Sequence, residues 1–371
     1  MGIIKLRVML ASLLLITLPA TAAQTDILSI EHYVANESKA PSMAGAMAQI
    51  YVRERVASDG ISKPVVLFIH GAGTPAEVAF DVPYDGYSWM AYLAAAGYDT
   101  FAMDTTGYGR STRPHSMNNI CNLSEAQQQD FIPAVIDATC IADYPFAATT
   151  IESDWDDIDA VVEYLRKLRD VEKVHLVAWS LGGPRAAGYA ALYPEKVDRL
   201  VLLAPAYGRT RATNRPDSLP APGVAFNKQS LTDFTANWER QVGCDNQYMQ
   251  PVMNAVWGAM LESDPVGATW GSGVRRAPAT TLWGWNQEVV GKTANPMLLV
   301  SPVHDAQVPA ARVRELYEDL GAEHKVLLDL ACTSHNAMWE TNREILFDAS
   351  LQWLRDGAVD GIQHGELRKG Y

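Results

Sequence analysis

The stretch 171–183, VEKVHLVAWSLGG, constrains this chain more than any other. A short apolar run, Val174–Trp179, stops at Ser180. Gly182 and Gly183 follow at once, and a small-residue helical pattern begins with Pro184 in its first turn. A strand that turns this tightly into a helix lifts a serine hydroxyl off the edge of a sheet, and only small residues fit two positions before and after it. Gly182 meets that need on one side. On the other, Ala178 stands where glycine is usual, which adds one methyl.

A serine hydroxyl is a poor nucleophile near neutral pH and needs a base, which needs an orienting acid. In a strand–turn–helix setting of this kind the acid and then the histidine follow the serine. Of the eight histidines, His335 lies just past the strand pattern Lys325–Leu330 and before a helical pattern at 343–354. That is where a base must hang to reach a serine at the C-terminal edge of a sheet. His70 occupies a turn, His175 and His324 begin strands, and His32, His115 and His364 sit in peripheral segments. The acid is expected after the preceding strand, 297–300, which places Asp305 in that role. Its neighbour His304 reads as rim, and Asp329, inside a strand, reads as structural. Two backbone donors are needed for the oxyanion. Leu181 N–H faces the right way at the helix start. Ala72 N–H, in the turn His70-Gly71-Ala72-Gly73, supplies the second, with Gly71 as the alternative.

The remaining pattern alternates strand and helix. Strands are expected at 47–56, Val65–Ile69, Asp99–Met103 and Val197–Leu203, and helices at 86–96, 153–168 (capped by Ser153), 184–193 and 310–320. Continuous apolar runs such as VVLFI fit strands buried on both faces, as in a parallel sheet. Residues 24–44 read as an extended lead-in and the tail after Gly357 as polar. Two stretches break the rhythm. Residues 112–150 hold two cysteines and three prolines and look inserted. Residues 206–295 hold five of the ten tryptophans and read as a mainly helical cap between two parts of one core, 24–205 and 296–371.

Taken together, His70-Gly71-Ala72-Gly73, the glycine-rich turn 104–111, the Ser180 turn, the Asp305 loop with Val308-Pro309, and Ser334-His335 resemble the α/β-hydrolase superfamily, in its serine-nucleophile, cap-bearing form. The resemblance covers about 47–205 and 296–355. It implies a mostly parallel eight-stranded sheet with helices on both faces, a Ser180–His335–Asp305 triad and no cofactor. Members with serine at this turn hydrolyse esters, lactones, thioesters, amides or certain carbon–carbon bonds. The expectation is a carboxylic-ester hydrolase for a small or medium hydrophobic substrate. A lactonase, thioesterase or carbon–carbon hydrolase is the alternative, and a non-catalytic binding protein on the same fold is a third. Trp179, Trp238, Trp257, Trp283 and Trp285, with Gly71, are candidate pocket residues, although the cap tryptophans fit equally well as the cap's own core.

Lys5 and Arg7 precede an apolar run at 8–19 and the small residues Ala20-Thr21-Ala22-Ala23, the pattern of a cleaved export leader over 1–23. Export to the periplasm or medium, without stable membrane insertion, is expected. The four cysteines then favour pairing: Cys121 with Cys140 and Cys244 with Cys332 among three possible arrangements, with free buried thiols as the alternative. Their spacing matches no zinc pattern, and no metal is expected. A net charge of −13 argues against nucleic acid as a partner.

Overall fold

The computed structural model describes residues 1–2, 26–58 and 63–371. Apart from its first two residues, the expected leader over 1–23 lies outside them. The first part of the chain runs β1 (Ile27–Glu37), β2 (Met47–Ala57), β3 (Val65–Ile69), α1 (Ala76–Phe80), α2 (Trp89–Ala95), β4 (Asp99–Met103), α3 (Glu125–Gln128), β5 (Thr149–Thr150), α4 (Ile151–Arg169), β6 (Val174–Trp179), α5 (Gly182–Leu192) and β7 (Val197–Leu203). It continues through β8 (Phe226–Ser230), α6 (Leu231–Glu239), α7 (Gln250–Glu262), β9 (Val274–Pro278), β10 (Thr280–Thr281), α8 (Gln287–Val290), β11 (Met297–Pro302), α9 (Ala310–Asp319), β12 (Lys325–Leu330), α10 (Arg343–Asp356) and β13 (His364–Lys369).

Nine strands form one sheet in the order β1-β2-β4-β3-β6-β7-β11-β12-β13. The pairs β1–β2 and β2–β4 are antiparallel and the rest parallel. The α/β fold is as expected, but the sheet has nine strands rather than eight. The polar lead-in supplies β1, and the polar tail supplies β13, which pairs with β12 from His364 to Lys369.

The central strands show why unbroken apolar runs were needed. Val66 and Phe68 of β3 join the cluster on one face, while Val65, Leu67 and Ile69 join the cluster on the other. Strand β6 divides the same way, Val177 and Trp179 against Val174, Leu176 and Ala178. Side chains alternate along a strand, so both faces are covered only if every position is apolar. Helices α2 and α10 cover one face with Trp89, Leu93, Leu346, Phe347 and Trp353; α4, α5 and α9 cover the other with Ile158, Val162, Ala186 and Leu316. Each large apolar side chain buried this way contributes roughly 1.5–3 kcal/mol, so a charge at Leu67 or Val177 would break the sheet's packing.

Helix α4 begins earlier than the sequence pattern suggests. Thr150, not Ser153, is its N-cap: the Thr150 hydroxyl accepts from Ser153 N–H, and Ser153 Oγ accepts from Thr150 N–H. Two backbone donors that the first helical turn leaves without intrahelical partners are thereby satisfied.

Residues 206–295 contain strands as well as helices. Their apolar side chains are shared among three clusters: Phe234, Trp238 and Trp257 with Trp179 and Trp339, Trp285 with the opposite sheet face, and Phe226 and Trp270 with Met117 and Phe131 of the 112–150 stretch. Two disulfides, Cys121–Cys140 and Cys244–Cys332, take up the four cysteines. Among the described residues no helix is long and apolar enough to cross a membrane.

Candidate active site

Every residue singled out for chemistry lies where a parallel strand ends. Ser180 follows β6, Asp305 follows β11, His335 follows β12, and His70 to Gly73 follow β3. Crevices at these carboxyl ends are where open α/β sheets bind ligands.

Ser180 has φ +58, a left-handed backbone that a serine adopts only under constraint. The constraint is visible on three sides. Ser180 N–H donates to Leu203 O at 2.9 Å, and its carbonyl accepts from Gly183 N–H and Ala206 N–H, both at 2.9 Å. Gly182 presses on β3, where a Cβ would stand 2.4 Å from Ile69 O. The same hypothetical Cβ would lie 3.3 Å from Ala178 Cβ, so the bare glycine at 182 leaves room for the methyl at 178.

His335 and Asp305 are both buried, and His335 Nδ1 lies 2.7 Å from Asp305 Oδ2. The other Asp305 oxygen accepts from the backbone N–H groups of Gln307 and Val308 at 2.7 and 2.8 Å. With its carboxylate so anchored, Asp305 selects the His335 tautomer that carries its proton on Nδ1 and leaves Nε2 able to accept. Asp329 instead faces Arg314 and Arg368, and His304 packs against Gly243.

Trp179 links the serine strand to the histidine. Its Nε1–H donates to His335 O at 2.7 Å, and the two rings lie 5.3 Å apart. Ser180 Oγ makes no hydrogen bond to His335 among the described residues. Such contacts are often long without substrate and tighten only once it binds.

Ser180 and Leu181 are half-buried and Ala72 is exposed. Neither Leu181 N–H nor Ala72 N–H has an acceptor among the described residues. Gly71 lies against the serine, since a Cβ there would be 2.8 Å from Ser180 Cβ.

Behind this turn sits a buried ion pair that the sequence pattern did not single out. Arg185, on α5, donates from Nε to Asp154 Oδ2 at 2.7 Å and from Nη1 to the carbonyls of His70 and Gly71 at 3.1 and 3.2 Å. Both carbonyls are thereby engaged by the α5 side chain, and the Ala72 amide that follows them is left without an acceptor among the described residues. His70 Nδ1 lies 2.7 Å from Gly71 O, and its Nε2 accepts from Thr105 N–H. Burial, with the Arg185 charge beside it, holds the imidazole well below its usual range, so it stays neutral. The only sequence signal for this pair was a charged residue on the apolar face of each helix.

A second set of contacts ties residues 231–249 to the histidine and acid loops. Gln241 Oε1 accepts from Ala306 N–H at 3.1 Å and His335 N–H at 3.4 Å. Glu340, fully buried, accepts from Ser334 N–H, Ser334 Oγ, Gln247 Nε2 and Trp238 Nε1. Burial raises the Glu340 carboxyl pKa, against the pull of these donors. The Cys244–Cys332 bridge joins the same two regions.

The candidate pocket tryptophans therefore separate. Trp238 and Trp257 meet Phe234, and Trp238 lies 5.6 Å from Trp339, which in turn lies 5.5 Å from Trp179. All are buried and pack against one another. Trp283 and Trp285 lie elsewhere, beside Trp155 and Gly188.

Residues 64–265, just over half the chain, match the family model described as "alpha/beta hydrolase fold", and the protein belongs to that family. Carboxylesterase CesB (YbfK) from Bacillus subtilis superposes with TM-score 0.55 at 14% identity, covering 91% of this chain and 95% of that one. A thermophilic esterase from Thermogutta terrifontis gives TM-score 0.51 at 14% identity, covering 87% and 98%. CarC, a serine hydrolase involved in carbazole degradation, gives 0.52 at 17% identity, covering 88% and 99%. At these identities the likeness is one of fold. No curated protein matches the sequence significantly.

Proposed function

We propose that this protein is an exported serine esterase that cleaves a carboxylic ester through an acyl-enzyme, with Ser180 as nucleophile, His335 as base and Asp305 as its orienting acid. The observation that carries this reading is the buried 2.7 Å His335–Asp305 contact, set beside a serine on a strained left-handed turn. Asp305 steadies the imidazolium and does not itself take the proton. Ser180 Oγ bonds to the ester carbonyl carbon as its proton passes to His335 Nε2. The N–H groups of Leu181 and Ala72 hold the oxyanion. The C–O bond then breaks, and His335 returns the proton to the departing alcohol. Water adds to the acyl carbon, giving its proton to His335, and the acid leaves as Ser180 regains its hydrogen. Donors fixed before the charge develops contribute most to such a barrier. Two disulfides support export, since they persist in oxidising compartments.

Fluorophosphonate labelling tests the assignment. The native protein should label at Ser180 and hydrolyse 4-nitrophenyl esters, while Ser180→Ala should do neither. An unchanged Ser180→Ala protein would remove the serine from the mechanism.

A further inference from the structure

The guanidinium of Arg275 lies on the turn that carries the oxyanion donor, and no carboxylate answers it. Arg275 is on β9, and its Nε and Nη2 both donate to Gln229 Oε1 of β8 at 3.0 and 2.9 Å. A neutral amide is thus its only hydrogen-bond partner among the described residues. The group lies broadside against Gly73: a Cβ at Gly73 would stand 2.3–2.4 Å from Nη2, Cζ and Nη1 alike. Gly73 is left-handed as well, with φ +84. Two residues earlier in the same turn, Gly71 touches Ser180.

The neighbouring arginines are treated differently. Arg185 is paired with Asp154, and Arg276 and Arg113 share Asp264. The carboxylates that Arg275 feels at longer range are already engaged. Asp264 accepts from Arg113, Arg276 and Gly267 N–H, and Asp233 from Ser230 and Lys228. Burial depresses the Arg275 pKa to about 10, which still leaves it charged at neutral pH. Arg211 also lacks a carboxylate, but it lies against Gly208, on the chain leaving β7. Arg275 is half-buried, and a cation drawn from water without a counter-charge is destabilised. A ligand that brings the missing anion offsets that cost, and the planar fork of a guanidinium suits a carboxylate.

We propose that Arg275, oriented by Gln229, is a carboxylate-binding subsite of the cleft, so that the preferred substrate is an ester bearing a free carboxylate. This rests on the serine-esterase reading above for the identity of the cleft, but it is testable without turnover. In its favour, the guanidinium is fixed by two bonds to one acceptor, while Nη1 makes none.

Two isosteric pairs locate the carboxylate. Mono(4-nitrophenyl) glutarate against 4-nitrophenyl 5-methylhexanoate probes the acyl side, and 3-acetoxybenzoate against 3-isopropylphenyl acetate the alcohol side. The native enzyme should favour the anionic member of one pair. Arg275→Met should raise KM for that ester about 10- to 100-fold, the range expected for losing a charged hydrogen bond, and leave its neutral partner nearly unchanged. Arg275→Lys should recover part of the preference. Circular dichroism and melting curves establish that the variants are folded.

In a Ser180→Ala background, calorimetry with the same intact esters should show the anionic one binding more tightly and Arg275→Met removing the difference. That result would uphold the subsite even if the hydrolytic reading failed. Equal losses on charged and neutral esters would mean that Arg275 serves the oxyanion turn itself, and would overturn the proposal. No charge preference in either pair, in turnover or in binding, would overturn it as well.

Discussion

Replacing Asp154 and Arg185, singly and together, separates holding the fold from holding the oxyanion turn. Both groups are fully buried. Asp154→Leu leaves a guanidinium in the core with no counter-ion, and Arg185→Met leaves a buried carboxylate. Breaking such a pair from one side costs about 3–5 kcal/mol. Replacing both with apolar side chains of similar volume is often close to neutral, so the double variant should melt well above either single one. Activity should not return with it. Arg185 Nη1 also holds the carbonyls of His70 and Gly71, and neither apolar replacement has a donor to do so. A reacting group misplaced by an ångström loses up to about 100-fold in rate, so the double variant should retain roughly 1–10% of native kcat with KM little changed. Urea unfolding and 4-nitrophenyl ester turnover supply the two readouts. A double variant with native kcat would refute the positioning role, and an Asp154→Leu protein as stable as the native one would refute the ion pair's importance.

Trp179→Phe removes the donor to His335 O; an orphaned buried carbonyl costs about 1–3 kcal/mol, and fluorophosphonate labelling should slow because the histidine loop loses that tether. Burial, with the Asp154 charge adding to it, raises the Asp157 pKa to about 7. The folded state therefore favours the protonated acid, and this stabilisation is complete below about pH 4 and lost as pH rises through about 7. The melting temperature should fall between pH 5 and pH 8 and fall less in Asp157→Asn; an unchanged slope would count against Asp157 as a source. Replacing Cys244 and Cys332 with serine opens a closure spanning 88 residues and should cost about 2–5 kcal/mol, measured by urea unfolding under non-reducing conditions.

What could be read from the sequence depended on how strongly burial constrained it. Strand β3 must be apolar at each position because both of its faces are covered, and VVLFI marked both of its ends. Strand β13 reads HGELRK and alternates between exposed and half-buried positions. It is a strand because β12 offers it an edge, and that contact leaves no apolar signature. The N-cap of α4 was misplaced because Thr150 and Ser153 are both plausible hydroxyls, and reciprocal bonding is needed to order them. The tryptophans of 206–295 carried no indication of side, so Trp238 and Trp285 looked alike although they pack on opposite faces of the sheet. In the sequence Arg275 is one of two adjacent arginines, and nothing in the spacing separates them. What distinguishes it from Arg276 is Asp264, which lies earlier in the chain and bonds only to Arg276 of the two.

The ties between residues 231–249 and the histidine loop bear on how such an enzyme can be re-engineered. Grafting 206–295 from a relative would change the surroundings of the site, but the graft would arrive without the partners that Cys332, Glu340 and the Ala306 amide now have in Cys244, Trp238, Gln247 and Gln241. The recipient would then hold an unpaired thiol and a buried carboxylate short of two donors, next to the residue meant to act as its base. A transferable module must therefore include 303–340 as well, so changes of specificity here are better sought by point substitution on β8 and β9 than by exchange of the whole segment.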